Sequence, residues 1–343
     1  MRGGVLAVGL FVTSGLVPLG TVAESAEDGA ARRTCQGRPA TLVGTAHHDQ
    51  LVGTRGRDVI VSRGGNDRVV SRGGNDVVCA GTGGDSVAGG NGADRLDGGP
   101  GNDRLGSGLN ENRYAVDLLA GGPGTDLLVR PSEARQFGAC ANYRSAVAGV
   151  DVDLRAGTAT GEGDDRLVRL HCVDGGPAAD VLRGTAGRDR FDGRRGGDVL
   201  KTRGSADLVS DLRGANAVDL GPGDDTLTGG YDDDVVHGGP GDDQINVFPG
   251  TDTVWAGPGD DYVLGGDIGS SAASEDPNVI HGGSGRDDLV GDLGEDELFG
   301  SSGPDRLSGY GGDDLLDGGA GHDRGNGNDG DDTCVSIEAP ISC

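Results

Sequence analysis

A nine-residue repeat constrains this chain more than any other feature of its sequence. Seven contiguous units run from Gly44 to Gly106, ten from Gly175 to Leu264 and six from Gly282 to Val335. A further good unit, Gly121 to Val129, and two degenerate units bring the total to 26. The sixth position is Asp in 24 units, the eighth is apolar in 25 with Gly325 as the exception, and the fourth is Gly in 20. A fixed short period of this kind is typical of a solenoid.

The consensus Gly-Gly-x-Gly-x-Asp-x-apolar-x predicts the local structure of each unit. The glycines permit backbone with positive φ, and the last three residues form a short strand whose eighth side chain points inward. Two units therefore make one coil, and stacked coils pair their strands in parallel about 4.8 Å apart. The predicted fold class is all-β: a parallel β-roll solenoid built from nonapeptide repeats, in two or three stacked blocks with a small β spacer module.

Composition indicates that such a roll needs a cation. The chain has 343 residues, a formal net charge of −27, 71 glycines and only 3% aromatic residues. Few large apolar side chains are available for a globular core, and so acidic a chain lacks the basic patches of a nucleic-acid binder. High charge with low hydrophobicity would by itself leave the chain disordered. Sixth-position carboxylates and turn carbonyls converge at the edge of the coil, and Ca²⁺ accepts six to eight such oxygens. Thiols are absent from the turns and imidazoles are rare there, which argues against zinc or copper.

The repeats resemble the haemolysin-type, or RTX, calcium-binding nonapeptides. Two good examples are Gly89-Gly90-Asn91-Gly92-Ala93-Asp94-Arg95-Leu96-Asp97 and Gly238-Gly239-Pro240-Gly241-Asp242-Asp243-Gln244-Ile245-Asn246. The resemblance covers most of the chain and implies a parallel β-roll with Ca²⁺ in its turns. It also implies a set of aspartate ligands: Asp58, Asp67, Asp76, Asp85, Asp94, Asp103, Asp126, Asp189, Asp198, Asp225, Asp234, Asp243, Asp252, Asp261, Asp287, Asp296, Asp305, Asp314 and Asp323.

Some units depart from the family pattern. The fourth-position glycine is replaced by His47, Ala115, Ala178, Ser205, Asp232 and Asp276, and Asn216 and Asn278 replace the aspartate. We expect weaker or empty sites in these units. About fifteen to twenty calcium sites then remain, because one site forms per pair of turns on adjacent coils, with affinities of about 10⁻⁴–10⁻³ M that are typical of extracellular modules.

The repeat frame divides the sequence into segments. Residues 130–174 break the array and contain Gly149-Val150-Asp151-Val152-Asp153-Leu154, whose alternation predicts a strand in a spacer or cap; an independent functional module is the alternative. The predicted layout is a signal peptide (1–25), an N-terminal cap (26–43), repeat block 1 (44–129), the β-strand spacer module (130–174), repeat block 2 (175–264), an insertion with a degenerate repeat (265–281), repeat block 3 (282–335) and a C-terminal tail (336–343).

The N-terminus and the cysteines both indicate export. Arg2, the apolar stretch Val5 to Val17 and small residues near Ala23 are typical of a secretory leader, with an uncleaved anchor as the alternative. We therefore expect a secreted protein without a membrane span in its mature chain. Six cysteines allow fifteen disulfide connectivities. We favour nearest-neighbour pairing, Cys35–Cys79, Cys140–Cys172 and Cys334–Cys343, because each pair brackets a block end or the spacer; zinc binding is weakly supported, since no CxxC spacing occurs.

No catalytic function is predicted from the sequence. HExxH and Gly-x-Ser-x-Gly motifs are missing, and paired acids such as Asp224-Asp225 fall at turn positions of the repeat. No stretch outside the repeats exceeds about 45 residues, too short for a catalytic domain. The sequence predicts a secreted calcium-binding protein that folds on binding many Ca²⁺ ions. The alternative is an extracellular adhesin or matrix scaffold whose calcium-loaded roll binds a surface or a cell-surface or extracellular polysaccharide.

Overall fold

Short strands recur every nine residues through the part of the chain that the structure describes. The computed structural model describes residues 33–109, 115–132, 138–210, 213–266 and 275–343, so the predicted signal peptide lies outside the described residues. No helix occurs in these ranges, and none of their residues forms a helix able to cross a membrane.

The described ranges contain 35 strands. In chain order they are β1 (Thr34–Cys35), β2 (Arg38–Pro39), β3 (Leu42–Val43), β4 (Gln50–Val52), β5 (Val59–Val61), β6 (Arg68–Val70), β7 (Val77–Cys79), β8 (Ser86–Ala88), β9 (Arg95–Asp97), β10 (Arg104–Gly106), β11 (Asp117–Ala120), β12 (Leu127–Val129), β13 (Ala139–Asn142), β14 (Asp151–Asp153), β15 (Thr158–Thr160), β16 (Asp164–Val168), β17 (Cys172–Asp174), β18 (Val181–Arg183), β19 (Arg190–Asp192), β20 (Val199–Lys201), β21 (Leu208–Ser210), β22 (Ala217–Asp219), β23 (Thr226–Thr228), β24 (Val235–His237), β25 (Gln244–Asn246), β26 (Thr253–Pro258), β27 (Tyr262–Leu264), β28 (Val279–Ser284), β29 (Asp288–Val290), β30 (Glu297–Ser302), β31 (Arg306–Gly311), β32 (Leu315–Asp317), β33 (Arg324–Asp329), β34 (Thr333–Val335) and β35 (Ala339–Ile341).

Successive repeats alternate between two parallel sheets, as the 18-residue coil predicts. The first sheet has 16 strands in the order β3-β5-β7-β9-β11-β13-β17-β19-β21-β23-β25-β27-β29-β31-β33-β35. The second sheet runs from β4 through the even-numbered strands to β34, and strands keep an 18-residue register within the blocks, as in Val236 beside Val254. The fold is a parallel β-solenoid of about 16 turns, which confirms the predicted class.

The segment 130–174 contributes strands to both sheets instead of separating two rolls. β13 and β17 continue the first sheet. In the second sheet β16 pairs with β12 and β14 pairs with β18, and β15 joins them through two antiparallel pairings. The alternating residues Asp151–Asp153 do form a strand. The solenoid is therefore continuous through the spacer.

The core is a thin stack of eighth-position side chains. Ile60, Leu96, Phe191 and Ile280 are typical members, each at most 1% exposed. Each coil adds only two such side chains, so apolar burial alone does not offset the entropy of ordering the chain. The turns must contribute the remaining stabilisation.

Close stacking of the turns explains the glycines. Gly241 has φ +143°, and a β-carbon there would overlap the carbonyl oxygen of Gly223 on the preceding coil. The second position is less strict, because Arg63 (φ 84°) and Arg72 (φ 76°) adopt the same left-handed backbone.

The three predicted disulfides are present. Cys35 pairs with Cys79, Cys140 with Cys172 and Cys334 with Cys343. Among the described residues no cysteine is free, so the zinc interpretation has no thiol left to support it.

Candidate metal centres in the turns

The sixth-position aspartates form a ladder along each edge of the solenoid. The backbone N–H of Asp225 donates to Oδ1 of Asp243 at 2.8 Å, and the N–H of Asp243 donates to Oδ1 of Asp261 at 2.8 Å. The same bond recurs between other coils, for example from Asp287 N–H to Asp305 Oδ1 at 2.9 Å. Each bond holds one carboxylate oxygen and fixes the direction of the other. All 19 predicted ligands are buried.

The second carboxylate oxygen of most of these aspartates is buried without a hydrogen-bond partner. Burying an ionised carboxylate without full compensation is costly, so natural proteins rarely leave one in this state. Fourteen of the 19 predicted ligands carry such an Oδ2: Asp67, Asp76, Asp85, Asp94, Asp103, Asp126, Asp225, Asp243, Asp252, Asp261, Asp287, Asp305, Asp314 and Asp323.

Carbonyl oxygens meet several of these carboxylates where the first position of the repeat is glycine. A β-carbon on Gly300 would lie 2.6 Å from Asp305 Oδ2 and 2.8 Å from the carbonyl oxygen of Gly318. Glycine therefore leaves a small cradle lined by a carboxylate oxygen and a carbonyl oxygen. Hard oxygen donors of this kind suit Ca²⁺, which tolerates irregular coordination, better than Mg²⁺, which demands near-octahedral geometry.

Burial perturbs the ionisation of the ladder. Burial, with a smaller contribution from neighbouring carboxylates, raises the pKa of Asp243 and Asp252 to about 8 against the lowering effect of the backbone hydrogen bond. For the others raised by the same main cause, the pKa is about 7 at Asp94, Asp103, Asp207, Asp287, Asp296 and Asp314, and about 6 at Asp76, Asp126, Asp225, Asp234, Asp261 and Asp305. Burial thus shifts these carboxyl groups toward the protonated form, and a bound cation would shift them toward the ionised form.

In three turns a threonine at the second position of the repeat satisfies the aspartate. Thr54 donates to Oδ2 of Asp58 from its backbone N–H at 2.6 Å and from its Oγ1 at 3.0 Å. Thr45 and Thr185 make the same pair of bonds to Asp49 and Asp189, again at 2.6 and 3.0 Å. We call these three the threonine turns. Asp58 and Asp189, two of the predicted ligands, therefore have an Oδ2 that is already hydrogen-bonded.

The remaining predicted ligands are partly satisfied. Asp234 accepts from both the backbone N–H and Nδ2 of Asn216, each at 2.9 Å. Asp296 accepts from Asn278 N–H through Oδ1 and from Asp292 N–H through Oδ2, both at 2.8 Å. Asp198 accepts from the backbone N–H of Asp180 at 2.7 Å.

Asp207 belongs with the candidate ligands although it is not among the 19 predicted residues. Ser205 replaces the fourth-position glycine in its unit, so the consensus predicts a weaker or empty site there. Ser205 nevertheless takes positive φ (79°), and Asp207 has a buried Oδ2 without a partner. Its sixth-position phase in the repeat was the signal that could have identified it.

Comparison with known proteins agrees with this geometry. The family model described as RTX calcium-binding nonapeptide repeat (4 copies) matches residues 43–78, 80–112, 173–209, 213–246, 249–267, 272–298 and 299–334. No curated protein matches the chain. The family match covers more than half of the sequence, so the chain belongs to the RTX calcium-binding nonapeptide repeat family.

Proposed function

We propose that this RTX repeat protein is a secreted calcium-binding protein whose turns take up many Ca²⁺ ions and whose folding is completed by that uptake. The observation that carries the proposal is the row of buried carboxylate oxygens without partners, some of which, such as those of Asp243 and Asp305, lie beside a backbone carbonyl. With Asp207 included, fifteen described sixth-position aspartates have a buried Oδ2 without a partner.

Calcium would supply the counter-charge that the protein lacks. Adjacent carboxylates on one edge repel each other in a poorly hydrated environment, where charge interactions are stronger than in water. A divalent ion between two coils would reverse that repulsion and link the coils. Because the unfolded chain has no preformed site, the free energy of binding becomes free energy of folding.

The proposed role of the turns is structural. Within the described residues the ladder presents carboxylate and carbonyl oxygens, and the ion would hold these groups in place without taking part in a reaction. Aspartates of the threonine turns would stay outside the calcium set, because their Oδ2 atoms already accept two hydrogen bonds.

Titration calorimetry with Ca²⁺, paired with far-ultraviolet circular dichroism, tests the proposal. We expect about fifteen ions per chain, a cooperative gain of β-structure over about 10⁻⁴–10⁻³ M Ca²⁺, and its loss in EGTA. Mg²⁺ at the same concentrations is the matched control and should induce little structure. A chain that binds no Ca²⁺ at millimolar concentration, or has the same spectrum in EGTA, would refute the proposal.

Secretion is supported by the three disulfides, which persist in oxidising compartments. We expect the chain to be recovered from the culture medium, cleaved near residue 25. N-terminal sequencing of the recovered protein checks this, and a chain retained in the cytoplasm with all six thiols reduced would contradict it.

A further inference from the structure

One groove on the face of the first sheet concentrates positive charge in an otherwise acidic protein. It has a volume of 490 Å³, and an adjoining hollow of 290 Å³ shares Arg95, Leu118 and Arg144 with it. Five arginines from the N-terminal hairpin, block 1, the spacer and block 2 line the groove: Arg38, Arg57, Arg95, Arg144 and Arg190.

Four of these five guanidinium groups form no ion pair within the described part of the chain. Arg144 is the exception, with Asp174 at 2.8 Å and Asp192 at 3.9 Å. Arg190 contacts the sulfur of Cys172 at 3.9 Å. The carboxylates that line the groove are Asp76 and the buried Asp174, and Asp97 lines the adjoining hollow, so positive charge is in excess.

Four of the five arginines are spaced regularly along the solenoid axis, at different positions along their strands. Arg57 precedes β5, Arg95 begins β9, Arg144 follows β13 and Arg190 begins β19. These are every second strand of the first sheet, so neighbouring arginines are about 9.6 Å apart along the axis. The row spans six strand spacings, about 29 Å. A row of this length suits an extended polymer better than a single small ion.

Aliphatic and polar side chains lie between the charges. Val77, Ala93, Val116 and Leu118 line the groove together with Asn75. Cations spaced at intervals, with aliphatic side chains between them, fit sugar rings that carry an acidic group once per disaccharide. Duplex nucleic acid fits less well, since it carries a charge every 1.7 Å or so and would be repelled by the acidic second half.

The charge distribution strengthens this interpretation. Residues 33–213 contain 24 Lys+Arg and 24 Asp+Glu, whereas residues 214–343 contain 3 and 29. Calcium in the turns of the first half would make that half net positive, and in this respect the inference rests on the proposed function. We propose that the arginine groove binds an acidic polysaccharide, through its sulfate or carboxylate groups, in an extended conformation along the first sheet.

The test is binding of a labelled chondroitin sulfate oligosaccharide to the full calcium-loaded chain, followed by fluorescence anisotropy. The groove variant is Arg95→Gln with Arg190→Gln. The matched control is Arg68→Gln with Arg104→Gln, because these two arginines also begin strands but belong to the second sheet. Both variants must first show the calcium-induced circular dichroism of the parent, which separates failure of the groove from failure of calcium-dependent folding.

We expect the groove variant to bind at least tenfold more weakly, the control variant to bind like the parent, and neutral dextran of equal length not to bind. Equal weakening in both variants would overturn the proposal, because it would indicate unspecific charge attraction. If free inorganic sulfate displaces the oligosaccharide at a concentration equal to that of the oligosaccharide's acidic groups, the proposal is overturned in favour of a site for a small anion. Self-association that depends on Arg95 and Arg190, without oligosaccharide binding, would overturn it in favour of a second copy of the chain.

Discussion

The two halves of the solenoid share one architecture and differ in how their charge is compensated. Residues 33–213 have as many basic as acidic side chains, whereas residues 214–343 carry almost the whole net charge of the protein. Unpaired sixth-position carboxylate oxygens are nonetheless distributed almost evenly, seven in the first half and eight in the second. The number of candidate calcium sites and the amount of repulsion to be overcome are therefore separate properties of this fold.

The fifth position of the repeat shows the same contrast at a single hydrogen bond. In the first half Asn75 Oδ1 accepts the backbone N–H of Ala93 at 3.0 Å. In the second half Asp242 Oδ1 accepts the N–H of Asp260 at 2.9 Å. The bond is conserved in geometry while the charge changes, so the second half is more acidic than its hydrogen bonding requires. We infer that it depends more strongly on calcium.

Calcium removal should separate the two halves and is the largest expected effect. As free Ca²⁺ is lowered stepwise, strands after residue 214 should lose hydrogen-exchange protection first, since repeat arrays can unfold segment by segment. Trp255, the only tryptophan, stacks on His237 with ring centroids 4.6 Å apart and reports on the second half by fluorescence. Loss of protection in both halves at one common calcium concentration would contradict the inference that the second half depends more strongly on calcium.

Acidification should partly replace calcium. Ladder carboxylates such as Asp243, Asp287 and Asp305 have pKa values raised to about 6–8 by burial, above the ordinary value of 3.8. The folded chain then binds more protons than the unfolded chain, so this stability is complete below pH 3.8 and is lost as the pH rises through 6–8. In EGTA we expect more β-structure by circular dichroism at pH 5 than at pH 8. An unchanged or reversed dependence would show that the buried carboxylates do not govern the calcium-free state.

Asp243→Asn should have opposite effects with and without calcium. Asparagine keeps the Oδ1 acceptor for Asp225 N–H and removes the charge on Oδ2. In saturating Ca²⁺ the free energy of unfolding should fall by about 1–3 kcal/mol, and in EGTA at pH 8 the variant should be the more stable protein.

Asp58→Asn is the matched control for that substitution. Its Oδ2 is held by Thr54, so its effect should be similar with and without calcium. Thermal melts in the two conditions give both differences. The same sign for Asp243→Asn in both conditions would contradict its assignment as a ligand.

Replacing the exposed fifth-position aspartates should change the calcium requirement for folding least. Asp224, Asp242 and Asp260 are exposed and accept backbone N–H groups at 2.9–3.1 Å, which asparagine can also accept. The triple asparagine variant should fold at lower calcium concentration, with a gain of under about 1 kcal/mol per site because exposed charges are screened. Calcium-titrated Trp255 fluorescence measures the shift. A higher calcium requirement would mean that these acids bind the ion themselves.

Much of this fold can be predicted from the period of the repeat. The structure of the segments that lack the repeat cannot. The phase of Asp and of apolar residues predicted the coil, the inward eighth side chains and the parallel register, because stacking is the only way for so short a unit to bury its apolar side chain. The continuity of the sheets through residues 130–174 was not predictable, since β14, β15 and β16 are joined by a hairpin that has no repeat signal.

The repeat predicts that sixth-position aspartates form the candidate sites, but it predicts less well which individual aspartates have an unpaired oxygen. Consensus matching included Asp58 and omitted Asp207, although the structure satisfies the first and leaves Oδ2 of the second unpaired. The deciding residue is at position two, where a threonine can donate to the carboxylate. The arginine groove has no sequence motif, because its residues lie far apart in the sequence and come together only when the solenoid folds.

A crystal structure of the calcium-loaded protein, with the ions located by anomalous scattering, tests most directly whether the unpaired carboxylates are the calcium positions. We predict ions 2.3–2.6 Å or so from Oδ2 of residues such as Asp243, Asp252 and Asp207, and none at the threonine turns of Asp49, Asp58 and Asp189. Ions bound at the threonine turns, or no ion at Oδ2 of Asp243 and Asp252 in saturating calcium, would contradict this assignment.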